Sequence, residues 1–243
     1  VSQTPVVIKT PVTQVTPKPI ATPMPYIDNE PLSTDLPFVL GETLVYQITA
    51  NGRIIGNITI QAKERKLVKN QDSLLLTATV SSVQPNQQIL TINDSMQTYI
   101  NLGSFSPHEF TIRLNSLFSI YNQSVDFDQT LGKARLNGTN LVDVPVGTHN
   151  LLSLVYAIRA FNLKPIIMNN VVVDTRVAVW LGSTASVFIL RPSNAESINL
   201  NGERVQAQMI NISTGIPQID MMNLQPRIWL SNDSKRKIGR AHV

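Results

Sequence analysis

Leu44-Val45-Tyr46-Gln47-Ile48-Thr49-Ala50-Asn51-Gly52-Arg53-Ile54-Ile55-Gly56-Asn57-Ile58-Thr59-Ile60-Gln61-Ala62 is the stretch that decides the fold class. Leu44, Tyr46 and Ile48 alternate with polar Gln47 and Thr49, and Ile58, Ile60 and Ala62 repeat the alternation. A period of two places alternate side chains on opposite faces of a strand. Asn-Gly between two such runs supplies the positive φ angles that a two-residue hairpin turn requires. The stretch therefore predicts an antiparallel hairpin.

The same signals continue outward. Strand-like runs occupy residues 73–83, 89–100, 109–114 and 124–127, followed by a turn at Asn137-Gly138. Later runs cover residues 171–181, 185–190, 204–212 and 227–230. Short strands separated by turn residues predict a mostly β fold, a single antiparallel curved sheet or half-barrel. One segment breaks the pattern. From Asn150 to Phe161, apolar residues at 151, 152, 154, 155, 158 and 161 predict a helix buried on most of its circumference. Asn150 is suited to cap its first turn, and Pro165 stands just beyond its end. One helix packed on the sheet is expected.

The chain has 243 residues, room for one sizeable domain. Only 15% are charged, against ~25% in an ordinary soluble domain. Asn, Gln, Ser and Thr cover the surface instead, a composition that suits β-rich extracytoplasmic proteins. There is no cysteine, which excludes a disulfide framework, a Cys-ligated zinc and a thiol nucleophile. No apolar run approaches the ~20 residues of a membrane-spanning helix. Residues 1–37 hold eight of the fifteen prolines. Proline fixes φ and restrains its predecessor, so residues 1–36 are expected to be an extended, disordered linker ahead of a domain spanning 37–237. Val1 is preceded by neither an initiator Met nor a signal-peptide core, so the natural N-terminus, with an export signal or lipid anchor, is expected upstream.

The sequence pI near 9.4 does not imply a nucleic-acid partner. Arg227, Lys235, Arg236, Lys237 and Arg240 against Asp233 account for the whole net charge of +4. A nucleic-acid surface needs bases spread along a face or groove. This cluster reads as a solvated tail.

Candidate chemistry is sparse. His108, His149 and His242 show no helical metal spacing and no nucleophile elbow, and are expected to be turn or surface histidines. Asp126 and Asp128 flank Phe127, so on a strand they share a face. Such a pair suits a cation or acid-base work, but the simpler expectation is a solvent-facing pair opposite inward Val125 and Phe127. Scattered glycines form no phosphate loop. Six Asn-x-Ser/Thr triplets, beginning at Asn57, Asn93, Asn122, Asn137, Asn211 and Asn232, are expected from composition alone. Nothing calls for a cofactor or a metal.

Together these segments resemble the bacterial exported proteins grouped as the DUF3108 domain. Pro37-Phe38-Val39-Leu40-Gly41-Glu42-Thr43-Leu44-Val45-Tyr46 looks like that family's Pro-Phe-x-x-Gly-Glu-x-Leu-x-Tyr opening. Val125-Asp126-Phe127-Asp128 resembles its Val-x-Phe-Asp strand. Asn150, Ser153, Tyr156 and Arg159 match its helix pattern Asp-x-x-Ser-x-x-Tyr-x-x-Arg, with Asn for Asp. Ile228-Trp229-Leu230-Ser231-Asn232-Asp233 with Arg236 resembles its closing strand. The family's Thr-Pro-x-Gly-Thr is replaced by Leu200-Asn201-Gly202-Glu203-Arg204. Residues 238–243, Ile-Gly-Arg-Ala-His-Val, also depart from the family and read like a translated sequencing adapter, so a non-native tail is expected there.

The resemblance implies a cell-envelope location, a mostly antiparallel β fold with one helix, and no established activity. Three classes of function follow as expectations. The first is a non-enzymatic module whose concave sheet holds an apolar or lipid-like ligand. The second is a structural or interaction protein of the cell envelope with a filled core. A hydrolase ranks last, because no nucleophile and base are legible. The family-motif residues Gly41, Glu42, Tyr46, Asp126, Asp128, Asn150, Ser153, Tyr156, Arg159, Trp229 and Asp233 are expected to be structural. In that reading Asn150 caps the helix, the Tyr156 hydroxyl bonds a strand edge, and Arg159 meets a carboxylate or terminal carbonyls.

Overall fold

The hairpin read from the sequence is present in the computed structural model. It describes residues 26–50, 53–82, 94–115, 117–161, 163, 167–168, 171–172, 174–200, 202–214 and 226–242. Strand β1 (Thr43–Ala50) pairs antiparallel with β2 (Arg53–Val68) from Thr43↔Gln61 to Ala50↔Arg53, and the Asn51-Gly52 turn lies outside the described residues. Six more strands follow: β3 (Gln71–Ser82), β4 (Ser95–Asn101), β5 (Pro107–Arg113), β6 (Gln123–Asp128), β7 (Lys133–Leu136) and β8 (Asn140–Asp143). Each pairs antiparallel with its predecessor, so the eight-stranded sheet is a meander in sequence order.

Two local devices shape this sheet. Lys69 and Asn70 (φ 52° and 61°) and Asn137 and Gly138 (φ 49° and 76°) make turns with two consecutive positive φ angles. That backbone matches the right-handed twist of the strands it joins. Register shifts at Ile48/Thr49, Ala62/Glu64 and Tyr99/Ile100 bend the strands. Bulges increase local twist, and the sheet curls into a half-barrel. The turn between β6 and β7 depends on Gly132, whose φ is +62° and whose added Cβ would stand 2.8 Å from the Val144 carbonyl oxygen. Gly132→Ala is expected to cost more than ~1 kcal/mol, read as a lower midpoint in urea at unchanged slope.

After the helix the chain builds a separate sheet. Strands β11 (Thr175–Trp180), β12 (Ala185–Leu200), β13 (Glu203–Ser213), β14 (Arg227–Ser231) and β15 (Ile238–His242) lie antiparallel in sequence order. The fold is mostly β with one helix, as expected, but its strands divide between two main sheets. The run at 171–181 also divides. Val171–Val172 (β10) pairs with Ile167–Met168 (β9) in a two-stranded ribbon, whereas β11 joins the five-stranded sheet. The run expected at 89–100 begins at Ser95, and residues 83–93 lie outside the described set. The run at 185–190 extends to Leu200 through an irregularity at Pro192/Ala195. Proline has no ladder N–H, so a strand carries it at such a break.

The helix, α1 (Leu151–Ala160), runs within one residue of its expected limits and sits between the two sheets. Leu152, Tyr156 and Ala157 pack with Phe38, Ile60, Leu74, Leu76 and Ile100 of the large-sheet side. Leu154 and Ile158 pack with Val179, Leu190, Ile210 and Leu230 of the small sheet. Each fully buried aliphatic side chain contributes about 1.5–3 kcal/mol. A third cluster joins the sheets directly: Phe127 meets Trp180 edge-on, ring centroids 5.9 Å apart, beside Phe110, Val125 and Val144. The curl of the half-barrel is thus filled by its own helix, and the ligand-holding concave face expected in the first functional reading is occupied. Residues 1–25 of the expected linker lie outside the described set. From Tyr26 onward the lead-in is fastened to the β2–β3 hairpin. Tyr26 donates to Asp72 (3.0 Å), and Arg65 grips Asp72 and the carbonyls of Glu30 and Pro31.

Candidate functional site

Arg159 lies in the last turn of α1 with no exposed surface. A buried guanidinium needs a charged partner and acceptors for its remaining N–H groups. Glu42 supplies the first, accepting from Nη1 at 2.6 Å and Nη2 at 2.9 Å. The carbonyls of Pro37 (3.0 Å), Lys235 (3.1 Å) and Arg236 (3.2 Å) supply the rest. Arg236 returns the contact, its Nε donating to the Arg159 carbonyl at 2.7 Å. One side chain therefore joins the entry to β1, the end of the helix and the chain leaving β14.

Two motif residues shape its surroundings. Gly41, at φ +84°, turns the chain into β1 while its N–H donates to Ala62. Asp233 accepts from Ser231 Oγ (2.8 Å) and the amides of Lys235 and Arg236 (3.0 Å each), folding the turn that presents two carbonyls to Arg159. Burial opposes ionisation of Asp233, yet these hydrogen bonds hold its pKa below the usual carboxylate range. Trp229 lies apart, its indole N–H donating to Glu196 at 2.5 Å.

At the other end of α1, Asn150 Oδ1 accepts from the Ser153 amide (2.8 Å), and Ser153 Oγ accepts from the Asn150 amide (3.0 Å). This reciprocal capping box satisfies two amides that the first turn leaves free. Asn150 Nδ2 donates to Thr98 Oγ1 on β4 (2.9 Å), so the cap also ties helix to sheet. His149 is 4% exposed, its Nδ1 3.2 Å from Ser153 Oγ and its backbone paired with β11. His108 is 5% exposed. Neither is the surface or turn histidine expected; both close the ends of core segments. Burial pushes the His149 pKa down to about 4, against a hydrogen bond to the Phe105 backbone, and lowers that of His108 as well.

Tyr46 and Tyr156 flank the Arg159–Glu42 pair, and neither hydroxyl has a hydrogen-bond partner among the described residues. Tyr46 approaches the Ile238 backbone without reaching bonding geometry. The expected bond from Tyr156 to a strand edge is absent, because its ring is directed into the apolar cluster, 4.9 Å from Phe38. Burial raises both phenol pKa values, that of Tyr46 to about 12. An unsatisfied buried hydroxyl costs about 1–3 kcal/mol. Tyr156→Phe is therefore expected to leave thermal stability unchanged or raise it, where a bonded hydroxyl would give a loss in a calorimetric scan.

Asp126 and Asp128 face outward from β6, with Val125 and Phe127 buried behind them. They are spent separately: Asp126 accepts from Lys69 (2.9 Å), and Asp128 accepts from the amides of Thr130 (3.0 Å) and Leu131 (2.9 Å). Both line an open groove of about 580 Å³, with His108 also in its wall. A second cleft, about 280 Å³, lies between β1 and the small sheet, walled by Leu44, Tyr46, Ile198, Leu200, Val205 and Ile238. Its rim carries Asp233 and Lys237. Among the described residues, no three His, Asp or Glu side chains come together as a metal site, and no helix is long and apolar enough to cross a membrane.

The class this defines is a β-domain with a curled meander, a second antiparallel sheet and one helix locked between them by a buried Arg–Glu pair. The chain belongs to the DUF3108 family of proteins of unknown function, whose model matches residues 45–241. No curated protein and no solved structure gives a significant match.

Proposed function

We propose that this domain is a non-enzymatic extracytoplasmic module that takes an apolar or lipid-like ligand in the cleft between β1 and the small sheet. The observation that carries the reading is the lining: aliphatic side chains of both sheets face a common space of about 280 Å³, near the lower end of ligand pockets at ~300 Å³. Ile198, Leu200 and Val205 are only half-buried there, and Val45 is 63% exposed. Lys237 and Asp233 at the rim suit the polar end of an amphiphile. In this reading the Arg159 cluster is a brace, since its guanidinium is taken up by Glu42 and three backbone carbonyls. The low share of charged residues supports the location.

The test is lipid mass spectrometry of protein purified from native membranes, with titration of cis-parinaric acid. Saturable binding that Leu200→Glu abolishes at unchanged melting temperature supports the cleft. The filled half-barrel favours a second reading, a structural or interaction protein of the envelope without a ligand. Clean lipid extracts and no parinaric acid binding would leave that second reading standing.

A further inference from the structure

We infer that the groove at the hairpin end of the large sheet is a second site, for a neutral, hydroxyl-rich ligand: a saccharide. The inference is independent of the cleft. The β2–β3, β4–β5 and β6–β7 turns lie at one end of the meander, and the curl brings them together around this space. Lys69 shows how closely. From the β2–β3 turn it reaches Glu109 on β5 (3.2 Å) and Asp126 on β6 (2.9 Å), strands that are not its neighbours. The space measures about 580 Å³, within the ~300–1,000 Å³ of small-molecule pockets.

The charges in and around the groove argue for a neutral occupant. Lys69, Lys133 and Arg135 face Glu109, Asp126, Asp128 and Asp143. Lys69 and Lys133 are held in ion pairs, so a phosphate finds no uncompensated cation cluster and a metal finds no free set of carboxylates. The unused capacity alternates between donor and acceptor. Among the described residues, Arg135 makes no ion pair and the Gln71 side chain no hydrogen bond, while Asp126 and Asp128 each keep one carboxylate oxygen. Sugar hydroxyls both donate and accept, so they can engage such a mixture where an ion cannot. His108 lies in the wall with Nε2 unpartnered, held neutral by burial. Leu131 and Leu141, 70% and 57% exposed, offer apolar surface to the C–H face of a sugar ring.

The experiment is a glycan array carrying neutral, amino and acidic oligosaccharides, followed by calorimetric titration of the best neutral hit. Arg135→Ala and Gln71→Ala are the variants, since neither residue braces the fold, with melting temperature as the folding control. A neutral glycan bound in the micromolar to millimolar range, at least tenfold weaker in Arg135→Ala, and uncontested by inorganic phosphate, is the result expected. Binding to no glycan, preference for acidic glycans, competition by phosphate, or affinity unchanged in both variants overturns the assignment. Leu200→Glu, which blocks the cleft, should leave glycan binding intact, so failure of one site is distinguishable from failure of the other.

Discussion

Arg159→Met is expected to lower stability by about 3–5 kcal/mol, the range for breaking a buried ion pair by removing one partner. At roughly 2–4 °C per kcal/mol for a chain of this size, the melting temperature should fall by roughly 6–20 °C in a far-ultraviolet circular dichroism scan. The loss has two sources. Glu42, its side chain only 12% exposed, loses its counter-ion. The carbonyls of Pro37, Lys235 and Arg236 also lose their shared donor, so three chain segments are released together. A second variant separates charge from packing: adding Glu42→Leu to Arg159→Met removes the stranded carboxylate, and part of the loss should return. An Arg159→Met protein melting within 2 °C of the parent, with ligand binding lost, would falsify the brace and make Arg159 a ligand contact.

Much of this molecule could be read where the determinant was local. The alternation around Asn51-Gly52 gave the first hairpin, and Asn137-Gly138 marked a turn whose positive φ angles are observed. Asn150 announced the helix start because an N-cap acts through a residue three positions away. What escaped reading depends on pairs distant in sequence. Arg159 and Glu42 are 117 residues apart, and no spacing rule connects them. The motif arginine is expected from the sequence to meet a carboxylate or terminal carbonyls, and it meets both; what the sequence does not identify is which ones. The division into two sheets also escaped, because strands of either sheet carry the same alternation. The histidines differ from expectation for a related reason. His149 closes the parallel bridge to Val179 and His108 shares the groove wall with Lys69 of the β2–β3 turn, and both positions arise only when remote strands meet. The groove is equally non-local: spacing alone puts Asp126 and Asp128 on one face, but Lys69 reaches Asp126 only because bulges curl the sheet.

The buried histidine makes the fold sensitive to mild acid. His149 has a pKa near 4 in the folded chain against 6.5 when exposed, burial being the cause. A depressed histidine pKa means that the unfolded chain binds the proton more tightly. The contribution to stability is therefore complete above pH 6.5 and is lost as pH falls from 6.5 towards 4, where the folded form at last takes the proton. Integrated from pH 7 to pH 5, the loss from this one group is about 2 kcal/mol. His108, lowered by burial and by Lys69, adds to the same trend. Carboxylates do not mask it: Glu64, Asp72, Asp174 and Asp233 have lowered values, so their contributions are lost as pH falls through the ordinary carboxylate range and below it, under most of the histidine's interval. Urea titrations at half-unit steps from pH 7.5 to 4.5 should show stability falling with acid across that interval. His149→Gln, which keeps a polar side chain beside Ser153 and cannot titrate, should remove most of the slope. A His149→Gln profile as steep as the parent's would place the acid sensitivity elsewhere, with His108→Gln the next variant to measure. In the extracytoplasmic setting proposed above the consequence is specific, because such a space follows external acidity more closely than a buffered interior does. Acid would act first at the His149–Asn150–Ser153 junction, where charging the ring strains the capping box and loosens the one helix that holds the two sheets together.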